Sequence, residues 1–383
     1  MQEPLAHGQP APKLTISDGG EPRLYVASQW RLMWWRFTKH RVAVVSLWIV
    51  ALLYVVAAFV EFLAPYDPNT ISAQHKLAPP QRIRFVDSTG SFSLQPFVYA
   101  YRRDRNPDTL AWIYSEDRAR KTPIQFFVKG QPYKLWGLFE SDRRLVGVSG
   151  EGATLFLLGT DRLGRDVLSR IIYGARISMS IGLLGVFVSL VLGVFMGGLS
   201  GYFGGWTDLL IQRLIELLQS VPSIPLYMAL AAAMPLEWEG PQVYFAMVTI
   251  LSFIGWSGMA RVVRGRFLSL REEAFVKAAR LSGSGELRII FRHMAPSFYS
   301  HIIASITLAI PTMILSETAL SFLGIGMRPP AVSWGVLLQE AQNIRTVAFS
   351  PWLLTPGIAV VVAVLAFNFL GDGLRDAADP YGQ

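Results

Sequence analysis

The stretch ISMSIGLLGVFVSLVLGVFMGGL, Ile177 to Leu199, decides the fold class. It carries no charge from end to end. About 20 apolar residues in a helix cross the hydrocarbon core of a bilayer. Backbone groups in lipid must be satisfied internally, so a span is a helix or part of a closed barrel. The apolar residues here are continuous rather than alternating, which selects a helix.

Comparable runs occur on both sides of it. They lie at about Val42–Phe62, Trp206–Met234, Val243–Val263, Tyr299–Leu323 and Trp352–Leu370. The third span in chain order, Trp206–Met234, contains Asp208, Arg213 and Glu216 and is broken by Pro222 and Pro225. Asp208 and Glu216 flanking Arg213 read as a structural ion-pair set near the interface. Six spans agree with a composition of 52% hydrophobic and only 16% charged residues. The expected fold is an all-α polytopic membrane protein with one extramembrane insert.

The organisation divides as follows: 1–41 an amino-terminal arm, 42–62 the first span, 63–156 the insert, 157–375 a core with five spans, and 376–383 a tail. Met1–Gly20 has no hydrophobic period and is expected to be disordered. QWRLMWWRFTKHR, Gln29–Arg41, mixes Trp with basic residues and reads as an interfacial helix. The insert holds scattered aromatics and turn residues. KTPIQFFVKGQPYKLWGLF, Lys121–Phe139, reads as strand, turn, strand, so the insert is expected to be mainly β. Asp161–Gly174 has the pattern of an amphipathic helix lying on a membrane surface.

Charge orients the chain. Arg261, Arg264, Arg266, Arg271, Lys277, Arg280, Arg288 and Arg292 fall between the fourth and fifth spans. Short loops rich in Lys and Arg stay on the cytoplasmic side. Parity then places both termini in the cytoplasm and the insert outside. The net charge of +8 is explained by such loops and by anionic lipid, with no nucleic acid required.

The basic loop has its own pattern. In EEAFVKAARLSGSGELRIIFRHMAPS, Glu272–Ser297, Phe275, Ala278, Ala279, Ser282 and Gly283 share one helical face. Except for Phe275, that face is small. After the Ser-Gly-Ser-Gly turn, Leu287, Ile290, Phe291 and Met294 form a second apolar stripe, and Pro296 ends the unit. Such a helix–turn–helix suits docking in a groove of another protein. It equally suits an amphipathic hairpin resting on the cytoplasmic leaflet, and spacing alone does not separate the two.

Several chemistries are excluded or weak. No cysteine is present, which removes disulfides, zinc–thiolate sites and Cys nucleophiles. No H-E-x-x-H occurs and the five His do not cluster, so no metal site is expected. No G-x-x-x-x-G-K-[ST] occurs, so the chain has no P-loop to hold ATP phosphates. GLSG, Gly198–Gly201, matches the short motif of rhomboid intramembrane serine proteases, with His301 as a conceivable base. Such Gly-rich matches are common in membrane helices, where small residues serve packing. An ion-coupled secondary transporter is the stronger rival. It would use Glu317, with Ser316 and Ser321, as a carboxylate on a translocation pathway, although a helix-packing hydrogen bond is an equal reading of the same residues.

The motifs together carry a resemblance. Two alanines, three residues, a glycine and a distal proline (Ala278, Ala279, Gly283, Pro296) resemble the coupling loop of ABC importer permeases. LGTDRLGRDVLSRIIYGARIS, RLIELLQSVPSIPL, ARVVRGRFLSLREEAFVKAARLSG, ETALSFLGIGMRPPAVSWG and LGDGLRDAADP resemble the C-type permease subunit of dipeptide/oligopeptide importers. The resemblance spans Leu158–Pro380 and the position of the first span.

It implies a MetI-like type I importer permease in the bacterial inner membrane. ATP and Mg would bind two separate cytoplasmic ATPase subunits, with no cofactor and no catalytic residue in this chain. A second permease subunit would complete the pathway, and an extracytoplasmic solute-binding protein would deliver a peptide or similar small solute. The coupling hairpin would be 266–296, acting through Phe275, Lys277, Ala278, Ala279, Gly283, Leu287 and Pro296. Lys277 stands where the family usually has Glu, Met294 and Ala295 replace its usual aliphatic pair, and the insert is longer than its usual outer loop.

Overall fold

The structure is a computed structural model that describes residues 29–105, 107, 112–150, 152–295 and 299–378. The expected disorder of Met1–Gly20, the position of Pro296 and the last five residues of the tail lie outside the described residues.

Helix α1 (Gln29–Lys39) leads into α2 (Arg41–Ala58) and a one-turn α3 (Val60–Leu63). The first span was expected to run to 62, but the apolar helix ends at Ala58, with Phe59 out of helical geometry (φ −111, ψ 34). Arg176 explains the break. Its guanidinium donates to the carbonyls of Ala57 and Ala58, both at 3.0 Å, and pairs with Glu61 at 2.5 and 2.7 Å. An arginine fork on the last carbonyls is a favourable helix end.

The insert is an antiparallel meander of β1 (Arg84–Val86), β2 (Phe92–Arg105), β3 (Trp112–Leu135) and β4 (Phe139–Val148), in that spatial order. The first part of β3 pairs with β2 and the later part with β4. Its Gly130-Gln131-Pro132 segment is a register shift inside the strand, and the turn falls at Trp136–Leu138. Val98, Ile124 and Leu155 form a small core of their own. Gln81 ties the sheet down: its amide donates to Tyr99 O and accepts from Phe156 N.

Helix α4 (Val167–Phe203) is continuous over 37 residues. The expected surface helix over Asp161–Gly174 is not a separate element. Residues before Asp166 are turns, Asp166 caps α4 by accepting from Ser169 N at 2.8 Å, and the rest belongs to α4. The charges that suggested a solvated face find partners inside the protein, as described below.

The next span is two helices, α5 (Gly205–Ser220) and α6 (Ser223–Ala232), bent by 85°. Pro222 has no N–H and holds the preceding Val221 extended (ψ 132). Helix α7 (Gly240–Leu270) follows, then α8 (Ala274–Leu281), a single turn α9 (Glu286–Arg288) and a π-turn at Ile289–Met294. After α10 (Tyr299–Phe322) come the short α11 (Trp334–Gln339) and α12 (Ile344–Phe349). The last helix, α13 (Thr355–Ala378), takes in the first residues expected to be tail. Among the described residues, five helices are long and apolar enough to cross a membrane, and the bent pair makes a sixth if counted as one span.

Helices α4 and α7 pack backbone to backbone. A Cβ at Gly193 would stand 2.6 Å from Met259 Cβ, and one at Gly201 2.6 Å from Phe267 Cβ. A Cβ at Gly197 would run into the carbonyl of Ala260. Glycine every fourth residue gives this approach, because helices in lipid associate through packing rather than the hydrophobic effect. The start of α2 and the end of α13 meet through His40 and Asp376 at 3.9 Å. The α4, α7 and α10 ends near Tyr202, Phe267 and Ile302 share a core with the α8–α9 loop.

Candidate functional site

The segment between α7 and α10 folds as a helix–turn–helix. Helix α8 ends because Gly283 takes a left-handed conformation (φ 74). Ser284 N then donates to Ala279 O at 3.1 Å and Gly283 N to Arg280 O at 3.0 Å, which closes the last carbonyls. No atom lies within 4 Å of a Cβ added at Gly283, so the glycine is required by backbone geometry and not by crowding.

One face of the hairpin is anchored. Val276, Ile289, Ile290, Met294 and Ala295 are buried in a cluster with Tyr202, Met259, Val263, Phe267 and Ile302. The anchors therefore tie the hairpin to the ends of α4, α7 and α10. Arg280 lies over the Tyr202 ring at 5.3 Å. The expected second stripe is split by the π-turn: Ile290 and Met294 are buried, while Leu287 and Phe291 face outward.

The opposite face is open. Phe275, Lys277, Ala278, Ser282 and Gly283 are exposed and Ala279 is half-buried. Leu281 is 90% exposed and Leu287 55%. The hairpin thus carries exposed apolar side chains on a support anchored from its other face. Lys277 is held by Glu272, Nζ to Oε2 at 3.3 Å, and Arg271 reaches the other oxygen of Glu272 at 3.5 Å. Sequence reading gave Lys277 no partner, since a contact across a non-helical loop has no periodicity.

The expected ion-pair set of the bent span is rearranged. Arg213 pairs with Glu216 at 2.7 Å on the exposed side of α5. Asp208 leaves them and binds Arg264 of α7. It also accepts from Ser200 Oγ at 2.5 Å. Ser200 is buried and acts as a link between α4 and α5, so the serine of GLSG is spent on a carboxylate. The His301 side chain lies outside the described residues.

Glu317 is fully buried. Its carboxylate accepts from Ser178 Oγ of α4 at 3.2 Å and from Ser321 Oγ at 2.8 Å. Ser178 Oγ in turn accepts from Trp334 N at 3.1 Å, and Ser321 Oγ from Met327 N at 3.0 Å. The carboxylate thus ties α4, α10 and the start of α11 together. Ser316 turns back to Thr312 O of its own helix at 2.8 Å.

A second polar junction escaped sequence reading. Asp161 binds Arg165 at 2.6 Å and Arg170, and Glu340 takes Arg165 at 3.0 Å and Arg170 at 3.4 Å. Burial pushes the Glu340 carboxyl upward, and neighbouring Asp161 adds to it. The DRLGRDVLSR pattern marks one half of this cluster, but nothing local points to Glu340. Among the described residues no group of His, Asp and Glu is placed to hold a metal ion.

Residues 165–381 match the family described as binding-protein-dependent transport system inner membrane component. Residues 28–80 match the N-terminal TM domain of oligopeptide transport permease C. The chain is 40% identical over 238 residues to the dipeptide transport system permease protein DppC of Alkalihalophilus pseudofirmus, covering 62% of this chain and 74% of the relative. It is 31% identical over 354 residues to the DppC of Lactococcus lactis subsp. cremoris, covering 91% and 89%. A match of that length has to run across the β insert. Among solved structures, the inward-facing MetNI methionine ABC transporter aligns with 55% of this chain and 97% of its own at 16% identity, with a TM-score of 0.43.

Proposed function

The chain belongs to the family of binding-protein-dependent transport system inner membrane components, and from that premise we propose that it is the permease subunit of a peptide importer. The substrate class is di- or oligopeptides or similar small solutes, in keeping with the relatives named for dipeptide transport. Two cytoplasmic ATPase subunits bind ATP and Mg. A second permease subunit forms the other wall of the pathway, and a solute-binding protein delivers the peptide on the side of the β insert. Both termini lie in the cytoplasm of a bacterial cell, with the basic hairpin.

One observation carries the mechanism: the hairpin is anchored on one face and bare on the other. Val276, Ile289, Ile290 and Met294 bury it against three span ends. Phe275, Ala278, Leu281 and Leu287 offer an apolar face to an ATPase groove. Motion of the ATPase is therefore passed to the spans through packed side chains, which shift between discrete arrangements rather than bend. Alternating access follows when the spans rock against the second permease.

Mild-detergent purification of the tagged chain from its native host, with mass spectrometry and an ATPase assay, tests the assembly. Co-purification of a P-loop ATPase and a second permease is the expected result. A chain that transports while alone and indifferent to ATP overturns it.

A further inference from the structure

The turn between β3 and β4 carries an apolar surface that the sheet does not use. Trp136, Leu138 and Phe139 are 52%, 75% and 61% exposed. The turn nevertheless has a fixed place. Trp136 Nε1 donates to the carbonyl of Ala58, the last residue of α2, at 2.7 Å. Its ring lies 5.7 Å from that of Phe59. Between the β3–β4 hairpin and the helix runs a groove lined by Val55, Phe59, Phe62, Leu135 and Phe139, with Tyr133 and Ser141 beside them. Val55 stands nearly a turn inside α2 from Ala58. The turn therefore reaches back along the spanning helix, past its end and toward the bilayer centre.

The outward face of α2 continues this surface. Val45, Trp48, Leu52 and Val55 are exposed on one stripe, between 51% and 71%. On a helix that crosses a membrane, such a stripe meets hydrocarbon and not water. A surface level with Val55 and continuous with the stripe lies in the same medium.

We propose that the β3–β4 turn is a membrane foot. Trp136, Leu138 and Phe139 enter the leaflet at the Ala58 end of α2, and their partner is lipid. The polar accounting fits. The turn closes its own backbone, with Gly137 N donating to Lys134 O at 3.1 Å and Leu138 N to Leu135 O at 3.0 Å. The indole N–H is satisfied by Ala58, as lipid burial requires. Trp136 holds a left-handed conformation (φ 53) that a bulky residue adopts only at a cost. Indole at the interface is the favoured anchor. The Lys134–Glu140 pair, at 3.2 Å, stands one register step behind Leu135–Phe139. Both charges are exposed, at 62% and 78%, which sets the headgroup level there. The β insert is thus held by lipid as well as by the helices below it, and its orientation over the spans is fixed at a second point.

The absence of cysteine makes the test direct. Leu138→Cys, Leu52→Cys and Ser88→Cys are each spin-labelled in the assembled transporter, with its partner subunits made cysteine-free. The samples are reconstituted in phosphatidylethanolamine/phosphatidylglycerol vesicles. Collision rates are read with oxygen, which partitions into hydrocarbon, and with a polar nickel chelate, which does not. Leu52 serves as the lipid reference and Ser88, in the polar Asp87–Ser91 turn, as the aqueous one. The expected result is oxygen exceeding nickel at 138, as at 52, with the reverse at 88. A label at 138 that behaves like the one at 88 overturns the proposal. So does a label at 138 shielded from both reagents, which means that another protein surface covers the turn.

Discussion

Asp208 and Arg264 form a bidentate ion pair between α5 and α7, with Oδ1 to Nε at 2.5 Å and Oδ2 to Nη2 at 2.6 Å. Ser200 at the end of α4 donates to the same Oδ1. Three helices therefore converge on one carboxylate, close to where the hairpin is anchored. Asp208→Asn keeps the shape and leaves Arg264 without its counter-charge. A hydrogen bond to a charged group is worth about 1.5–3 kcal/mol, and a loss of stability of that order is expected, with reduced uptake. The swap Asp208→Arg with Arg264→Asp should recover part of it. A double-mutant cycle with no coupling energy would show that the pair holds nothing.

The open face of the hairpin gives a sharper functional test than its turn glycine. Gly283→Trp introduces a side chain at φ 74 and so disturbs α8 itself. Ala278→Trp and Leu281→Glu alter only exposed positions. Thermal stability of the isolated chain should shift by no more than about 0.5 kcal/mol. Peptide uptake and ATPase co-purification should fall at least about tenfold, a coupling loss near 1.4 kcal/mol. Normal uptake in both variants rules the docking face out.

Lys277 is expected to tolerate Glu. Its partner Glu272 is 68% exposed and Lys277 itself 58%, and pairs of this kind contribute about 0–1 kcal/mol. Lys277→Glu places like charges together in solvent, where salt screens them. Melting within a degree or two of wild type at 0.15 M salt, with uptake retained, is the predicted outcome. Severe loss of uptake at unchanged stability would assign the lysine a specific contact with the ATPase.

What could be read in advance follows from range along the chain. The apolar runs are local, and each predicted span corresponds to a long helix or, at Pro222, to a bent pair. The hairpin was visible because small residues repeat at helical spacing and Gly283 closes the helix. Its π-turn was not visible, and the stripe through Leu287 and Phe291 turned outward as a result. Partners far apart in sequence left no mark: Asp208 with Arg264, Arg170 with Glu340, Glu317 with Ser178. A charge pattern such as DRLGRDVLSR looks the same on a wet surface as in a buried cluster.

Asp166 predicts a pH dependence of stability. The residue is buried at the start of α4, where Oδ2 accepts from Ser169 N and Oγ while Oδ1 has no partner. Burial pushes its carboxyl up to about 7, with the Asp161 charge adding to the shift. An unfolded Asp titrates near ~3.9. Between these values the folded chain holds a proton that the unfolded chain has released. The stabilisation is complete below the lower value and is lost as pH rises to the upper one. Asn serves equally well at a helix N-cap. Asp166→Asn should therefore flatten the decline in melting temperature that the wild type shows from about pH 4 to pH 7. An equal slope in both proteins would contradict it.

On α4, Gly197 is the glycine whose added Cβ would run most directly into the main chain of α7. A Cβ at Gly197 meets the Ala260 carbonyl and the Ala260 Cα at 2.9 Å, both main-chain atoms of α7. Main chain does not swing aside as a long side chain does, so the two helices must separate along their whole contact. Gly193 and Gly201, four residues to either side, would then lose their close approach as well. Gly197→Leu should cost about 3 kcal/mol, at the upper end of the range for overpacked cores. It is expected as loss of folded chain in detergent and of uptake in cells. Gly258 on α7 has nothing within 4 Å of an added Cβ. Gly258→Ala should be neutral or stabilising, since Ala gains up to about 1 kcal/mol over Gly in a helix. Equal damage from the two substitutions would mean that glycine is needed for helix flexibility. Damage confined to Gly197 identifies the α4–α7 approach as the contact that sets the geometry of the core.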